Sequence, residues 1–263
     1  MPVNSHLASL ASRLVLSDVE IDGISVSIST LSSRLGAYFG DDAKGNFVFG
    51  SYHRGTILPR KADSNADVDY MIVFNSDDGQ EKPQEYLDRL KNFAWKNYLP
   101  SERTESGSAI VLMLNHTKFK LVPAIFFVGC QIPSPSSSWG GWMYTDPVGD
   151  GQKIQEKDKA TNYKIKPLVR LIKYWNASQG HLFTSFSLEQ NIVSRNFDSC
   201  ITLKDYFYAF WSDFACSMYT AQSVKDKVER TRELARQAKK YEDDDMPVAA
   251  ECKIKKIVPE LWD

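Results

Sequence analysis

Two aspartates stand at the head of an apolar, β-rich run, and no other segment constrains the fold as strongly. The run spans Asp67 to Phe74 and reads DVDYMIVF. Residues i and i+2 of a β-strand point to the same face, so Asp67 and Asp69 would present both carboxylates on one side. Two carboxylates that converge in this way repel each other unless a cation lies between them. The run therefore predicts a strand that holds a divalent cation, and ordinary solvated acids at a strand end are the alternative.

A glycine–serine turn precedes this strand. Gly50 and Ser51 follow the short apolar run at residues 47–49 and lead into an Arg-Gly-Thr segment at residues 54–56. The backbone N–H groups and the hydroxyl of such a turn can bind phosphate oxygens. Proteins usually hold Mg²⁺ with one or two carboxylates together with substrate phosphates. A triphosphate on the turn and Mg²⁺ (or Mn²⁺) on the two aspartates together indicate nucleotidyl transfer.

Charge and size exclude some classes of protein. The chain has 263 residues, of which 43% are hydrophobic, so it can form one domain or two close-packed lobes. Its 32 Lys and Arg residues nearly balance 33 Asp and Glu residues. This balance excludes the broad basic field of a protein that coats DNA regardless of sequence. We also expect no strong sequence-specific DNA binding, whereas a small anionic substrate needs only a local cluster and a metal.

Cysteine usage and hydropathy indicate the compartment. The four cysteines lie far apart and form no Cys-x-x-Cys pair; they are Cys130, Cys200, Cys216 and Cys252. This spacing argues against a zinc site and favours reduced thiols in a cytosolic protein. No run approaches the length of a membrane span, and the N-terminus has no signal-peptide pattern. We expect a soluble, cytoplasmic protein with no membrane partner.

The first 150 residues have mixed character. Helical spacing of apolar residues over 5–20 and 24–39 predicts two helices, and the segment 1–40 would brace both lobes. Residues 41–150 have the strand and helix signals of a small mixed α/β domain. Its strands are expected at 47–49, 67–74, 109–114 and 118–127, with a hairpin around 115–117 and a helix at 83–97.

The remainder of the chain has only helical spacing. A segment rich in Pro, Ser and Gly at residues 133–151 predicts a loop that crosses between lobes. Beyond it, residues 151–263 form a predicted helical domain. Its helices are expected at 155–179, 186–195, 203–220, 222–242 and 246–257. The fold class is therefore α/β (α+β), with a mixed sheet packed against a C-terminal all-helical lobe.

These features resemble the polymerase-β-type nucleotidyltransferase superfamily. The helical half narrows the resemblance, with YTDP at 144–147, KPLVRLIKYWN at 166–176 and SFSLE at 185–189. In order and type, these motifs resemble the bacterial cGAS/DncV-like cyclic-oligonucleotide synthases (CD-NTases) of anti-phage defence. The resemblance spans roughly residues 45–260 and includes a tail, 248–262, that is similar to the closing helix of that family. It implies a nucleotidyltransferase palm and nucleoside triphosphate substrates.

The resemblance also implies roles for individual residues of the sheet-containing lobe. Gly50 and Ser51 would hold the β- and γ-phosphates. Asp67 and Asp69 would be the catalytic metal ligands, and the metal would align the α-phosphorus for in-line attack.

Three further nucleotide-binding residues are implied in the helical lobe. Lys173 would reach the triphosphate across the cleft, and an ordinary exposed helix lysine is the alternative. Ser185 would add a phosphate contact. Phe186 would stack on a base, and core packing is the alternative.

One position departs from the family pattern. The family takes a third metal-binding carboxylate from the neighbouring strand, two residues before a Val-Pro pair, and Lys120 stands there in this chain. An ammonium would repel a divalent cation and attract the two aspartates. Three explanations stay open. In the first, another acid (Asp63, Glu105 or Asp146) supplies the third ligand. In the second, the enzyme uses one metal, and Lys120 contacts the nucleotide. In the third, the chain binds nucleotide without fast catalysis.

The preferred interpretation is an enzyme that transfers a nucleotidyl group to a hydroxyl and makes a cyclic or linear oligonucleotide signal. Transfer to RNA, protein or a small molecule is a second enzymatic interpretation. A nucleotide- or cyclic-oligonucleotide-binding regulator is the alternative without catalysis. For the synthase, a downstream effector or an activator protein is the expected partner.

Overall fold

The computed structural model describes residues 2–75, 82–114, 117–126, 129–134 and 141–261. Their contacts divide the chain into two compact units. The sheet unit consists of Ser17–Ile57 and Asn65–Gln152. The helical unit consists of Met1–Leu16, Leu58–Ser64 and Lys153–Asp263. The two N-terminal helices thus fall in different units, and the three-segment division expected from the sequence stays a prediction.

A mixed β-sheet forms the centre of the sheet unit, which confirms the expected fold class. Its strands within the described residues are β1 (Ala43–Phe49), β2 (Asp67–Phe74), β3 (Arg103–Ser106), β4 (Ala109–Leu114), β5 (Thr117–Phe126), β6 (Cys130–Pro133) and β7 (Trp142–Thr145). They follow the order β1-β2-β5-β4-β3, while β6 pairs with the far end of β5 and β7 pairs with β6. Strands β2 and β5 are parallel, and every other pair is antiparallel.

Among the described residues, three α-helices belong wholly to the sheet unit: α2 (Asp18–Phe39), α3 (Gly50–His53) and α4 (Pro83–Asn97). Helix α2 begins earlier than expected because Ser17 and Glu20 cap it reciprocally, each side chain accepting a hydrogen bond from the other backbone N–H. Aromatic side chains of α2 and α4 pack together with Phe74 of β2; the Phe39 ring, for example, lies 5.1 Å from the Phe74 ring. These helices therefore cover the sheet face on which Phe74 points, and Asp67 and Asp69 point to the other face.

The helices of the helical unit pack around a core of aromatic and aliphatic side chains. Its helices are α1 (Pro2–Arg13), most of α5 (Pro147–Ala160), α6 (Ile165–Ser178), α7 (Ser185–Val193), α8 (Leu203–Asp213), α9 (Gln222–Asp243) and α10 (Pro247–Ile257). Trp175 and Trp211 are buried at its centre with ring centroids 4.7 Å apart. The Trp175 indole N–H donates to the Thr231 hydroxyl at 3.1 Å, so this tryptophan is a core residue.

Four expected boundaries are wrong. The helix expected at 5–20 ends at Arg13, and the capped start of α2 follows at Asp18. The helix expected at 155–179 is broken between α5 and α6, where Asn162 and Tyr163 have positive φ angles of 49° and 61°. The segment expected as a crossing loop contains β7 and the start of α5, and residues 135–140 lie outside the described residues. Helix α8 ends at Asp213, because Phe214 turns to an extended conformation and is buried.

Strands β4 and β5 pair antiparallel as expected. Residues 115 and 116 of the expected hairpin turn, and Trp262 of the expected tail, lie outside the described residues. Within the described part of the chain, no helix combines the length and the apolar character that crossing a membrane requires.

Candidate active site

Strand β2 places Asp67 and Asp69 on one face of the sheet. Further along the strand, Met71 and Val73 occupy the same face and are buried against Cys130 and other apolar side chains. Both aspartates are half-buried. The face thus changes from an apolar floor to a pair of acids toward the start of β2.

Gly50 lies directly against Asp69. Phe49, the last residue of β1, pairs with Asp69 in the antiparallel ladder, and the chain then turns into α3. Gly50 has a φ angle of +68°, and a Cβ atom built on it would lie 2.7 Å from the carboxyl carbon of Asp69. A side chain at residue 50 would therefore be strained by its backbone conformation and would also collide with the acid.

The turn that contains Ser51 is fixed by its own backbone. The Ser51 carbonyl accepts hydrogen bonds from Thr56 N–H at 2.9 Å and Ile57 N–H at 3.1 Å, and the Gly50 carbonyl accepts from Arg54 N–H at 3.1 Å. Thr56 is completely buried beneath the turn. Ser51 itself is half-buried and follows Gly50 directly in this turn.

Two lysines stand beside the two aspartates on the neighbouring strand. In the parallel register of β2 and β5, Asp67 pairs with Lys118 and Asp69 pairs with Lys120. Paired residues of neighbouring strands share a face and lie about 5 Å apart. The two acids of β2 therefore stand beside the two lysines of β5 on one face of the sheet. The Lys118 ammonium also donates to the Asn65 side-chain oxygen at 3.2 Å.

Sequence reasoning identified Lys120 but missed Lys118. The signal was present, because Lys118 and Lys120 have the same i, i+2 spacing as the aspartates. What the sequence alone did not contain was the register of β2 against β5, which aligns the two pairs.

No third acid joins this cluster within the described ranges, where no group of three or more His, Cys, Asp or Glu side chains could hold a metal. The three acids considered as substitutes have other contacts. Glu105 pairs with Lys91 at 2.6 Å, Asp63 lies 3.3 Å from the His181 ring, and Asp146 accepts a hydrogen bond from Gly149 N–H at 2.9 Å. The donor set is two carboxylates, which fits one hard cation that completes its coordination with phosphate oxygens.

The floor behind the acids has a low polarity. Burial raises the pKa of the Cys130 thiol to about 11, and the charge of Asp146 acts in the same direction. Its sulfur lies 3.7 Å from the sulfur of Met71. This thiol is therefore part of the apolar packing and does not supply a metal-binding thiolate at neutral pH.

The other predicted nucleotide-binding residues lie in the helical unit. Lys173 of α6 is buried, and its ammonium lies 3.2 Å from a carboxylate oxygen of Glu189 on α7, so the exposed-lysine alternative is wrong. Ser185 is the first residue of α7, whose Thr184 cap accepts a hydrogen bond from Ser187 N–H. Phe186 is 46% exposed, so the core-packing alternative is wrong as well.

A family model described as the Second Messenger Oligonucleotide or Dinucleotide Synthetase domain (SMODS) matches residues 1–158. This range contains the glycine–serine turn, both aspartates and both lysines of the site. A curated relative, a probable cyclic nucleotide synthase of Bacillus cereus (strain VD146), is 26% identical over 140 residues. That alignment covers 48% of this chain and 40% of the relative, so the chain spans less than half of the relative's length.

Solved structures of similar fold extend over nearly the whole chain. CdnC of E. coli MS115-1 with ATP has a TM-score of 0.70 at 16% identity and covers 99% of this chain and 98% of its own. The same CdnC in complex with HORMA-deltaN gives 0.69 at 17% identity, with the same coverage. The Vibrio cholerae cyclic AMP-GMP synthase DncV, solved with a linear intermediate, gives 0.74 at 12% identity and covers 96% of this chain and 93% of its own. At these identities the likeness establishes the fold, and with the family match it confirms the resemblance predicted from the motifs.

Proposed function

Because the chain belongs to the SMODS family of second messenger oligonucleotide or dinucleotide synthetase domains, we propose that it is a nucleotidyltransferase that makes a nucleotide signal. It binds nucleoside triphosphates, ATP among them, and transfers a nucleotidyl group to a ribose hydroxyl with release of pyrophosphate. The product is a cyclic or linear oligonucleotide that acts in anti-phage defence in the cytoplasm.

One observation carries this proposal, the close approach of Gly50 to Asp69 with Asp67 on the same face. Because the backbone contacts the carboxylate directly, phosphate oxygens bound by the turn and a cation bound by Asp69 would be neighbours. In this proposal the backbone N–H groups of the turn and the Ser51 hydroxyl bind those oxygens. A solvated pair of acids at a strand end has no need of this arrangement.

The residues present fit one Mg²⁺ or Mn²⁺ ion, held by Asp67 and Asp69. When bound, this ion supplies the positive charge that neutralises the triphosphate. The chain itself binds and orients the substrate. Gly50 and Ser51 hold phosphate oxygens, and the ammonium groups of the neighbouring strand attract the polyphosphate.

Lys118 and Lys120 change the electrostatics of the site relative to three carboxylates. Two ammonium groups in register with two carboxylates make the protein part of this cluster neutral. The affinity for a free divalent ion is then lower than at a three-acid site, and the metal binds together with its nucleotide. We propose that Lys120 takes the place of the third carboxylate and contacts the nucleotide.

The helical unit contributes the other proposed contacts with nucleotide. Ser185 adds a phosphate contact at the start of α7, and the exposed ring of Phe186 stacks on a base. Lys173 is proposed to contact the triphosphate as well. Its buried pairing with Glu189 fixes the ammonium position, so less side-chain entropy is lost when nucleotide binds.

A nucleotide-binding regulator without catalysis is the second candidate function. The register of Asp69 with Lys120 favours it, because an ammonium beside the acid substitutes for part of the charge of a metal. An activator or effector protein is proposed as the partner in either case. CdnC, which has a similar fold, has been solved in a complex with HORMA-deltaN.

Incubation of the protein with labelled ATP, GTP, CTP and UTP and with Mg²⁺ or Mn²⁺ tests the proposal. A phosphatase-resistant product is expected, absent from Asp67→Asn/Asp69→Asn and unchanged in Asp42→Asn, which alters an exposed acid of the same unit. Label on RNA or on the protein itself would identify the other acceptors. No product, together with thermal stabilisation by nucleotide, would overturn the synthase in favour of the regulator.

A further inference from the structure

A second pocket lies in the sheet unit, away from the candidate active site. It has a volume of about 390 Å³ and is bounded by α2, the end of α4, the segment that follows α4, and the end of β4. Leu114, at the end of β4, points to the sheet face covered by α2 and α4, as Leu112 does through its pairing with Phe119. The pocket is therefore on the face opposite to Asp67 and Asp69, and its size is within the range of small-molecule sites.

Two cations line this pocket. Arg34 comes from α2 and Lys96 from the last turn of α4. Within the described part of the chain, neither of them forms an ion pair with an acid. The Arg34 guanidinium lies 5.0 Å from the centre of the Tyr98 ring, and the Lys96 ammonium lies 5.4 Å from that of Tyr38. Aromatic faces position both cations without neutralising their charge.

A buried hydroxyl lies beside them. Tyr98 is 7% exposed and lines the pocket, and its hydroxyl oxygen meets no described residue with hydrogen-bond geometry. Burial raises the pKa of this hydroxyl, and the neighbouring Arg34 side chain opposes that effect as a donor and as a charge, so the phenol stays protonated at neutral pH. Arg34 can only donate, so the phenol proton has no acceptor among the described residues, and an acceptor group that reached it would form that hydrogen bond.

Glu102 is the acid among the described residues that line the pocket. A carboxylate oxygen of Glu102 accepts a hydrogen bond from Leu99 N–H at 2.9 Å and closes the turn after α4. The Thr30 hydroxyl donates to the Val26 carbonyl, so it offers a ligand only its oxygen. Glu102 keeps its negative charge and Thr30 offers an acceptor, so Arg34 and Lys96 are the lining groups that would attract an anionic ligand.

We propose that this pocket binds a small-molecule oxyanion, a phosphate or carboxylate group of a metabolite, through Arg34, Lys96 and the Tyr98 hydroxyl. The proposal is independent of the catalytic function, because the pocket shares no residue with the candidate active site. A guanidinium matches a planar carboxylate or two phosphate oxygens with paired N–H donors, and an ammonium adds a second charge.

Calorimetric titration of the full chain, without divalent metal and at low salt, tests this inference with inorganic pyrophosphate and citrate as separate probes. Saturable binding of at least one probe is expected, and the stronger probe distinguishes phosphate from carboxylate recognition. Arg34→Gln and Lys96→Gln should each weaken binding about tenfold or more, and Tyr98→Phe several-fold. Lys44→Gln, which removes an exposed lysine of the same unit, should leave binding unchanged.

Two further variants separate the sites and control for folding. Lys118→Gln/Lys120→Gln should lose any probe binding at the candidate active site and retain the binding that Arg34→Gln weakens. Loss of all saturable binding in this variant, with none lost in Arg34→Gln, would overturn the assignment by placing the probe at the candidate active site. Arg34→Lys keeps the charge, so it should bind more tightly than Arg34→Gln at comparable thermal stability. The absence of saturable binding by both probes, or wild-type affinity in Arg34→Gln and Lys96→Gln, would also overturn it.

Discussion

Gly50 and Asp69 contact each other across the end of the β1–β2 ladder, and the backbone of one lies against the carboxylate of the other. Gly50 adopts a left-handed φ angle of +68°, which lets the chain leave β1 and enter α3 within a single residue. Both the geometry of the turn and the position of Asp69 therefore require that residue 50 has no side chain. A substitution at residue 50 would disturb both, whereas most glycine substitutions disturb only one.

Gly50→Ala should inactivate the site and weaken the fold. An alanine here would have a left-handed backbone, which destabilises by about 1–2 kcal/mol, and its methyl group would displace Asp69 or the turn. We expect nucleotide affinity in the presence of Mg²⁺ to fall at least about tenfold, since Asp69, the proposed metal ligand, would move. Calorimetry and thermal unfolding measure the two effects.

Gly45→Ala is the matched control, because Gly45 lies in β1, the strand that ends just before Gly50, and a Cβ atom there would meet nothing within 4 Å. It should retain nucleotide affinity and change stability by less than about 1 kcal/mol. Equal effects of the two substitutions would contradict the role assigned to the contact between residues 50 and 69.

Lys120→Asp should convert the site into one with three carboxylates. The new acid would stand in register with Asp69, where its charge attracts a divalent ion instead of repelling it. At an effective dielectric constant of about 20, charges roughly 4 Å apart interact by about 4 kcal/mol, and exposure reduces this value. We expect Mn²⁺ affinity without nucleotide to rise about tenfold or more, as measured by calorimetry.

Lys44→Asp makes the same charge change on an exposed position of β1 and should leave Mn²⁺ affinity nearly unchanged. In the absence of metal, Lys120→Asp should also bind ATP more weakly than the wild type. Tighter metal-free binding of ATP by this variant would show that Lys120 does not contact the polyphosphate.

The positions of the strands near the site could be predicted because their signals are local. Alternation with a period of two gives the face of Asp67 and Asp69 from the sequence alone, and the glycine–serine pair marks the turn. The pairing of β2 with β5 was not predictable in this way, because parallel register depends on contacts between residues 51 positions apart in the chain. Lys118 was missed for that reason.

The break between α5 and α6 could not be predicted from spacing either. Asn162 and Tyr163 both have left-handed φ angles, which disfavour a continuous helix, but only the folded chain reveals them. The Asp158 carboxylate then accepts a hydrogen bond from Lys166 N–H and caps the new helix from eight residues away. Strand β7 was hidden for a similar reason, since its pairing with β6 supplies the hydrogen bonds that its Pro-, Ser- and Gly-rich surroundings do not suggest.

Removing one member of the buried Lys173–Glu189 ion pair should destabilise the fold more than removing both. Lys173→Met would remove the ammonium that lies 3.2 Å from the buried Glu189 carboxylate and should lower the free energy of unfolding by about 3 kcal/mol or more. Lys173→Met/Glu189→Leu removes both charges and should recover much of this loss. Urea denaturation of the two single variants and the double variant gives the coupling energy.

The same three variants also test whether the Lys173 ammonium contacts the nucleotide. If the double variant is as stable as the wild type but binds ATP at least about tenfold more weakly, the ammonium serves the nucleotide as well as the fold. Undiminished ATP affinity in that stable double variant would contradict the proposed triphosphate contact.

Cys130 should be the slowest of the four cysteines to react with iodoacetamide. Its pKa is raised to about 11 by burial, so the reactive thiolate is roughly a hundredfold scarcer near pH 8 than for an ordinary thiol. Cys252 is exposed and should react first, with Cys200 and Cys216 between them because burial raises the pKa of each. A raised pKa also means that the rate of Cys130 alkylation continues to increase as the pH rises toward 11.

Peptide mass spectrometry after timed quenching measures the rate at each cysteine. Denaturation in urea is the control and should remove the differences between them. A native Cys130 that reacts as fast as Cys252 would show that the apolar floor behind Asp67 and Asp69 is open to solvent.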